Sequence, residues 1–391
     1  MNKPFLAVDL GTTTIEIYIP DQESSGRFAR FENPSRLYGA DVLSRMNNTA
    51  RFGLSEKLQQ RIGASIEQNA AVLGLDFSNC SGIVLSGNTP MQHLFFGMDV
   101  SGMVDAPFTP VSLSMQHGLL QGVPVVSFPG ISAFVGGDIL SGLYALDLLH
   151  TDSPVLFVDL GTNGEIVLAL PGEGLLASSV AAGPAFEGGN ISIGMPAVSG
   201  AIDTMSIRHG FCRFHTIEES LPPKGLCGSG LIEAVYELYA DGQIDRHGTY
   251  LSETFRKEGF PLSPGGFSRE LSLTQKDIRH LQEAKSAICA GIFALLDASH
   301  LRESDIGRLI FAGNFGNHLD IKKASGIGLI PEALIPKTSL AGNTSLQGAI
   351  RFARHPEDGE EIASIVSRAK SLSLADSPTF KEAYIRFLEL P

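Results

Sequence analysis

One short pattern occurs twice in this chain. Residues 5–13 read FLAVDLGTT and residues 156–164 read LFVDLGTNG, so Asp9 and Asp159 stand in the same local setting in two distant places. In each copy an apolar run of strand length ends in Asp, then Gly, then hydroxyl or amide side chains. Residues 15–19 (IEIYI) follow the first copy with a β-branched alternation, which predicts a hairpin. A single copy is a common strand end with a tight turn. Two copies predict a chain built from two similar halves, each opening on a strand–turn–strand hairpin.

The chemistry of those turns points to phosphate. Phosphate oxygens need several donors in a tight concave space, and glycine lets backbone N–H groups approach without a Cβ in the way. Gly11, Gly161 and Gly164 would permit that approach, while Thr12, Thr13, Thr162 and Asn163 would add side-chain donors. The aspartates repel phosphate, so their sensible task is to hold Mg²⁺ or its coordinated water, with the metal bridging to phosphate oxygens. Asp9 and Asp159 are therefore the expected metal residues, one from each half, in a cleft that takes a nucleotide triphosphate.

The remaining composition narrows the options. The chain has 391 residues, enough for two or three domains, and a 43% hydrophobic content that supports a core. A net charge of −13 argues against nucleic-acid or anionic-membrane binding. The N-terminus enters a strand almost at once, no secretory pattern is visible, and no run of about 18 apolar residues occurs, so a cytoplasmic location is expected. Cys80, Cys212, Cys227 and Cys289 are widely separated and form no C-x-x-C pair. Neither a disulfide framework nor an iron–sulfur cluster held within this chain is expected, although a cluster shared between two subunits needs only two thiolates from each.

Along the chain, helices are predicted over 39–46 and 54–73, with Ser55 as a cap, and from Pro90 to Phe96. Residues 107–123 read as irregular, and 132–149 as one long helix carrying Gly136, Gly137 and Asp138. The run 178–203 is dense in Gly, Ala and Ser, which suits backbone packed against a ligand or a close contact. Glycine turns lead into helices over 225–239 and 340–354. A long helix spans 274–296 with Asp277 in its first turn, and a strand over 309–312 ends in GNFGN. Strands alternating with helices give an α/β class. The expected division is 1–150 and 151–350 for the two halves, with 351–391 as a closing segment.

These residues resemble the acetate kinase, sugar kinase, Hsp70 and actin superfamily. Asp9–Thr14 and Asp159–Glu165 would be its phosphate-1 and phosphate-2 motifs, and Ala312–Asn317 its adenosine motif. The helix with Gly136, Gly137 and Asp138 looks like the first interdomain connector, and 342–350 (GNTSLQGAI) like the second. More narrowly, NPSRLYGADVLSRM, SGNTPMQHLFFG, FVGGDILSGL, AAGPAFEGGNISIGM, GLCGSGLIEAV and AGNFGNHL resemble the ATPase part of the reductive activators of corrinoid proteins. The resemblance implies two duplicated actin-like, ribonuclease H-like lobes around a nucleotide cleft, with ATP and Mg²⁺ as cofactors. It also implies a function: ATP hydrolysis drives reduction of a corrinoid protein from Co(II) to Co(I). Full-length family members carry a ferredoxin-like domain with a [2Fe–2S] cluster. This chain starts almost at the first hairpin, so the electron donor is expected on a separate ferredoxin-like protein. A homodimer is compatible with this reading.

The resemblance assigns Gly313, Asn314 and Gly316 to the adenosine. Gly228, Ser229 and Gly230, opening a helix, are candidates for further nucleotide contacts through helix N-terminal donors, with helix packing as the competing role. Attack by water needs a positioned acceptor for its proton. Asp138 is the first candidate, Glu165 the second and Glu187 the third. His93, His215 and His318 have no metal-site spacing, and Cys227 has no adjacent base. The competing readings are a small-molecule kinase using the same cleft, a nucleotide-gated regulator without turnover, and a dehydratase activator, whose cysteine pattern is not matched here.

Overall fold

The computed structural model describes residues 3–391 except 21–25, 40, 162, 263–270, 314–318 and 375–376. Contacts divide the chain into two compact units. The first comprises Met1–Asp152, Leu170–Ala177 and Asn343–Ser371; the second comprises Ser153–Ala169, Ser178–Gly342 and Leu372–Pro391.

The first unit is organised on strands β1 (Leu6–Leu10), β2 (Thr14–Ile19), β3 (Arg27–Glu32), β4 (Ile83–Gly87), β5 (His117–Leu120) and β6 (Val123–Ser127). They form one sheet in the order β3-β2-β1-β4-β6-β5. β1 pairs antiparallel with β2 and parallel with β4, which pairs parallel with β6. Ile15, Ile17 and Ile19 alternate onto one buried face of β2. Helices α1 (Val42–Phe52), α2 (Ser55–Val72), α3 (Thr89–Phe95) and α4 (Gly137–Ala145) follow in chain order. Leu58, Ile62, Ile66 and Ala70 recur every fourth residue along α2 and form its buried stripe in the core around β1 and β2.

Three local expectations need correction. Ser55 is the first residue of α2 and Leu54 occupies the cap position without a side-chain bond, so Ser55 does not cap it. The long helix expected over 132–149 is confined to α4: Ile131 and Ser132 donate to the Val135 carbonyl in a turn ahead of it, and Asp147 adopts a left-handed φ of 51° after it. The stretch expected to be irregular contains β5, a half-exposed edge strand that lacks a clear apolar alternation.

The second unit repeats the plan. Strands β7 (Val155–Leu160), β8 (Gly164–Leu170), β9 (Gly174–Val180), β15 (Arg308–Ala312) and β16 (Thr338–Gly342) lie in the order β16-β15-β7-β8-β9. β7 is antiparallel to β8 and parallel to β15, and β15 is parallel to β16. The order β6-β4-β1-β2 of the first unit is the same arrangement as β16-β15-β7-β8, with the same senses, so the duplication read from two short segments is a duplication of architecture. A smaller sheet runs β11-β10-β12, from β10 (Ala201–Arg208), β11 (Phe211–Thr216) and β12 (Gly225–Leu226), and β13 (Phe260–Pro261) pairs with β14 (Ser272–Leu273).

Helices α5 (Gly228–Ala240), α6 (Glu253–Glu258), α7 (Gln275–Ala298), α8 (Ile321–Gly326) and α11 (Pro378–Phe387) complete this unit. Asp277 closes a capping box with Thr274 at the start of α7 and also accepts from the Ser192 backbone at 2.7 Å. α11 lies against α7, where the Phe293 and Phe387 rings stack at 5.1 Å. The fully buried Lys285 donates to the Glu389 carbonyl at 2.8 Å.

Helices α9 (Thr344–Arg354) and α10 (Gly359–Arg368) and strand β17 (Ala369–Ser371) belong to the first unit. α9 packs on α4, β1 and β4. The α4–α9 contact is close enough that a Cβ at Gly348 would clash with the Ser141 carbonyl. β17 runs parallel to Leu175–Ala177. Among the described residues no helix is long and apolar enough to cross a membrane. The chain has the α/β, actin-like architecture expected of it.

Candidate functional site

In the first unit the site is built where β1 ends. Asp9 stands opposite Glu16 across the β1–β2 ladder and opposite Ser86 on β4. Its Oδ1 accepts from Ser345 Oγ at 2.7 Å, and its Oδ2 accepts from Asn343 Nδ2 at 2.7 Å. The same amide nitrogen lies 2.8 Å from Glu16 Oε2, so one Asn side chain ties two carboxylates together. Asn343 is held in turn as the N-cap of α9, its Oδ1 accepting from the Leu346 N–H at 2.8 Å. Ser345 Oγ also lies 2.8 Å from Ser86 Oγ, and the Ser345 carbonyl accepts from Ser141 Oγ at 2.7 Å. Arg30 pairs with Glu16 through Nε at 2.5 Å.

Asp138 sits in the first turn of α4, with Oδ1 accepting from the Ile139 N–H at 2.8 Å. Burial pushes the Asp138 carboxyl up to about 6, against the opposing pull of its backbone hydrogen bonds. Asp9 is pushed up to about 7, first by burial and then by the Glu16 charge. The Ser345 and Asn343 bonds oppose that rise, and the Asp138 charge adds to it. Both side chains remain partly open to water by surface area even though protein surrounds them on most sides. Among the described residues neither Asp9 nor Asp138 forms an ion pair. The fold thus gathers Asp9 and Asp138, two residues singled out from sequence, into one electrostatically coupled acidic group.

The turn after Asp9 is tight. A Cβ at Gly11 would stand 2.6 Å from the Thr14 carbonyl oxygen, so only glycine fits. Thr12 Oγ1 accepts from Asn88 Nδ2 at 3.0 Å, and Asn88 is the N-cap of α3. The Thr13 carbonyl accepts from the Asn33 N–H at 2.9 Å. A Cβ at Gly136 would meet the Thr89 nitrogen at 2.5 Å, which brings the connector turn directly onto the start of α3.

The second unit presents the matching hairpin. Asp159 stands opposite Glu165 across β7–β8, as Asp9 stands opposite Glu16, and Ala312 pairs with Asp159 on the parallel side. Gly313, at φ 96°, has its α-carbon so close that a Cβ would lie 2.8 Å from both Asp159 Oδ1 and the Leu160 carbonyl. Gly161 donates its N–H to the Asn163 carbonyl at 3.0 Å to close the turn. A Cβ at Gly161 would lie 3.9 Å from Glu187 Oε1, which places the third candidate acid beside this hairpin. Glu165 accepts from Ser179 Oγ at 3.1 Å.

Other candidates have different surroundings. Gly164 faces Ile288 and Val180, and a side chain there would clash with Ile288, so its missing Cβ serves the packing of α7. Gly230 is pressed on the Ile202 carbonyl in the same way, which favours helix packing for that residue over ligand contact. Gly228 and Ser229 are buried at the start of α5, with Ser229 Oγ 3.3 Å from Cys227 Sγ. The small-residue run contributes a 3-10 turn, Pro184–Glu187, that packs on α5 and α7. Thr162, Asn314, Gly316 and His318 lie outside the described residues. His93 is buried between the Thr89 carbonyl and the Ser112 N–H, a packed histidine. His215 pairs with Asp203 at 2.8 Å.

Sequence reasoning missed Asn343, Ser345 and Glu16. The signal was present in part: Asn343 lies in the GNTSLQGAI segment, and Glu16 interrupts an otherwise apolar strand. Among the described residues no group of three or more His, Cys, Asp or Glu side chains is gathered as a metal cage.

Comparison with known proteins bears on both units. The family model described as the C-terminal domain of RACo, the ASKHA domain, matches residues 153–391, and that of the RACo middle region matches residues 5–151. The chain is 28% identical to the corrinoid activation enzyme RamQ of Eubacterium limosum, over 97% of this chain and 69% of that protein. It is 24% identical to the [Co(II) methylated amine-specific corrinoid protein] reductase of Methanosarcina barkeri, over 97% of this chain and 76% of that protein. A solved reductive activator for corrinoid,iron-sulfur protein superposes with a TM-score of 0.90 at 33% identity, covering 99% of this chain and 66% of that one.

Proposed function

Because this chain belongs to the RACo family, with a RACo middle region and a C-terminal ASKHA domain, we propose that it is an ATPase that drives reductive activation of a corrinoid protein. One electron passes from a separate ferredoxin-like donor to Co(II), giving Co(I), and hydrolysis of the phosphoanhydride supplies the driving force. The relatives named for corrinoid activation and corrinoid-protein reduction support the substrate class.

The observation that carries the ATPase part is the Asp9–Glu16–Asp138 group. Asp9, held by Asn343 and Ser345, carries a pKa pushed up to about 7 by burial and then by the Glu16 charge. The Mg²⁺ of a bound Mg²⁺–ATP would offset the acidic charge of this group, and the ATP would bring the bond to be cleaved. Asp9 would order the metal's waters in the first unit, and Asp159 those on the second unit's hairpin. Thr12, Thr13 and Asn163 would donate to phosphates, and Gly313 would leave room for the nucleoside. Asp138, with a pKa of about 6, is ionised above that pH and suited to accept the proton of an attacking water. Glu165 and Glu187, on the second unit, are the remaining candidates for that task.

The test is ATP hydrolysis by the chain alone and with a protein carrying Co(II) cobalamin. The reading expects stimulation by the corrinoid protein and a loss of about 10²–10⁴-fold in turnover for Asp138→Asn with ATP binding retained. Phosphate transfer to an added small molecule would replace it with the kinase reading. Tight Mg²⁺–ATP binding without turnover, partner present, would replace it with a nucleotide-gated regulator.

A further inference from the structure

The segment 33–46 has no task in the scheme above, yet three of its polar side chains are fully buried and converge on the back of the first phosphate hairpin. Asn33, Ser35 and Arg45 are each 0% exposed. Asn33 Nδ2 donates to the Gly11 carbonyl at 2.7 Å, Arg45 Nη1 to the Thr12 carbonyl at 2.8 Å, and the Asn33 backbone N–H to the Thr13 carbonyl at 2.9 Å. Three successive carbonyls of the turn are therefore held from behind. A trans peptide directs its N–H away from its C=O, and the cis bonds in this protein lie elsewhere, at Pro107 and Pro222. Fixing these carbonyls turns the N–H groups of Thr12, Thr13 and Thr14 away from the network, the arrangement by which successive amides form an anion-binding concavity.

The network is continuous. Arg45 Nη1 donates to Ser35 Oγ at 2.8 Å, Ser35 Oγ donates to Asn33 Oδ1 at 2.6 Å, and Arg45 Nε and Nη2 reach the Gly39 carbonyl at 3.2 and 3.1 Å. The last neighbour of Nη1 is the Met91 sulfur at 3.3 Å. Every one of these acceptors is neutral. Burial pushes the Arg45 pKa down to about 10, with Asp41 opposing it from a distance too great for an ion pair. The guanidinium is thus a cation at neutral pH, out of water, and without a carboxylate partner among the described residues. A buried charge in that state is strongly unfavourable unless something compensates it.

We infer that Arg45, carried by Asn33 and Ser35, is a positioning residue of the phosphate hairpin, turning its amides outward and adding an uncompensated positive charge behind them for the phosphates of the nucleotide. The inference rests on the nucleotide reading of that hairpin. It explains why an arginine lies where a hydrophobic residue of similar volume would pack without electrostatic cost, and why no acid accompanies it.

The experiment neutralises the charge without touching the hairpin. Met91→Glu puts a carboxylate where the thioether now faces Nη1, and Met91→Gln gives the same shape and hydrogen bonding without the charge. Binding of Mg²⁺–ATP, AMP and adenosine is measured calorimetrically on the full chain, with thermal unfolding of each variant alongside. Expected is about a tenfold or greater loss of Mg²⁺–ATP affinity for Met91→Glu relative to Met91→Gln, a smaller loss for AMP and none for adenosine. If Met91→Glu does not fold, Arg45→Lys against Arg45→Gln makes the same one-charge comparison. Equal Mg²⁺–ATP affinity within the pair overturns the role of Arg45. Failure of the wild-type chain to bind Mg²⁺–ATP at all overturns the nucleotide reading instead.

Discussion

Asp9→Asn is expected to make the protein more stable, and more so as pH rises. An Asp whose pKa is raised in the folded state favours the fold while protonated. That contribution is complete below about pH 3.8 and is lost as pH climbs through about 7. Asn never ionises, and it keeps both partners: its carbonyl can accept from Asn343 Nδ2 and its amide can donate to Ser345 Oγ. With folded and unfolded pKa values of about 7 and 3.8, linkage gives the variant an advantage of roughly 2 kcal/mol at pH 5 and roughly 4 kcal/mol at pH 8. The part of Asp9 that meets water screens its charge and brings both figures down. Their difference, on the order of 2 kcal/mol, is the quantity to measure, and the signature is its sign. The assay is urea unfolding of wild type and variant, without nucleotide, at pH 5, 6, 7 and 8, following the transition of the first unit. A gap that stays constant or narrows with pH refutes the picture of an isolated buried carboxylate. Repeating the pH 8 measurement with Mg²⁺–ATP separates stability from function. A ligand at 100 times its Kd stabilises by about 2.7 kcal/mol. Wild type should gain that stabilisation and Asp9→Asn should lose most of it if Asp9 orders the metal.

Two further substitutions test the packing that presents these residues. Gly348→Ala introduces a methyl group that meets the Ser141 carbonyl at the α4–α9 crossing, and should cost about 1–3 kcal/mol in unfolding of the first unit; unchanged stability would mean the crossing is looser than described. Lys323→Met removes the cation that pairs Glu233 at 2.8 Å and Glu237 at 3.0 Å, stranding a glutamate that is only 4% exposed. Denaturant unfolding of the second unit should show a loss of about 3 kcal/mol, and a loss under about 1 kcal/mol would refute a buried pair.

What was legible in the sequence was the part that is local along the chain. A strand ending in Asp-Leu-Gly needs its glycine and its hydroxyls within a few residues, so both hairpins could be read directly. Boundaries failed where local signals conflicted: the sequence reads Gly136 as part of a long helix, although a Cβ there would collide with Asn88 and Thr89 and the residue caps α4, which begins at Gly137. Glycines also carry no label for their task. Gly11 makes room for a turn, Gly164 for Ile288 and Gly230 for the Ile202 carbonyl, and only the packed structure tells them apart.

The two copies diverge in what tertiary contact adds. Both keep the same register, Asp9 opposite Glu16 and Asp159 opposite Glu165, because a hairpin's register follows from its turn. Around the first Asp the chain brings Asn343 and Ser345 from the start of a helix more than 330 residues away, and they bond both carboxylate oxygens. Around the second it brings Gly313, where a Cβ would lie 2.8 Å from Asp159 Oδ1. The first carboxylate is therefore held through both oxygens, with burial and the Glu16 charge pushing its pKa up. The two copies of the duplicated fold thus differ through residues that the repeat itself does not contain, which is why the repeat announces a shared architecture and cannot announce what surrounds each copy.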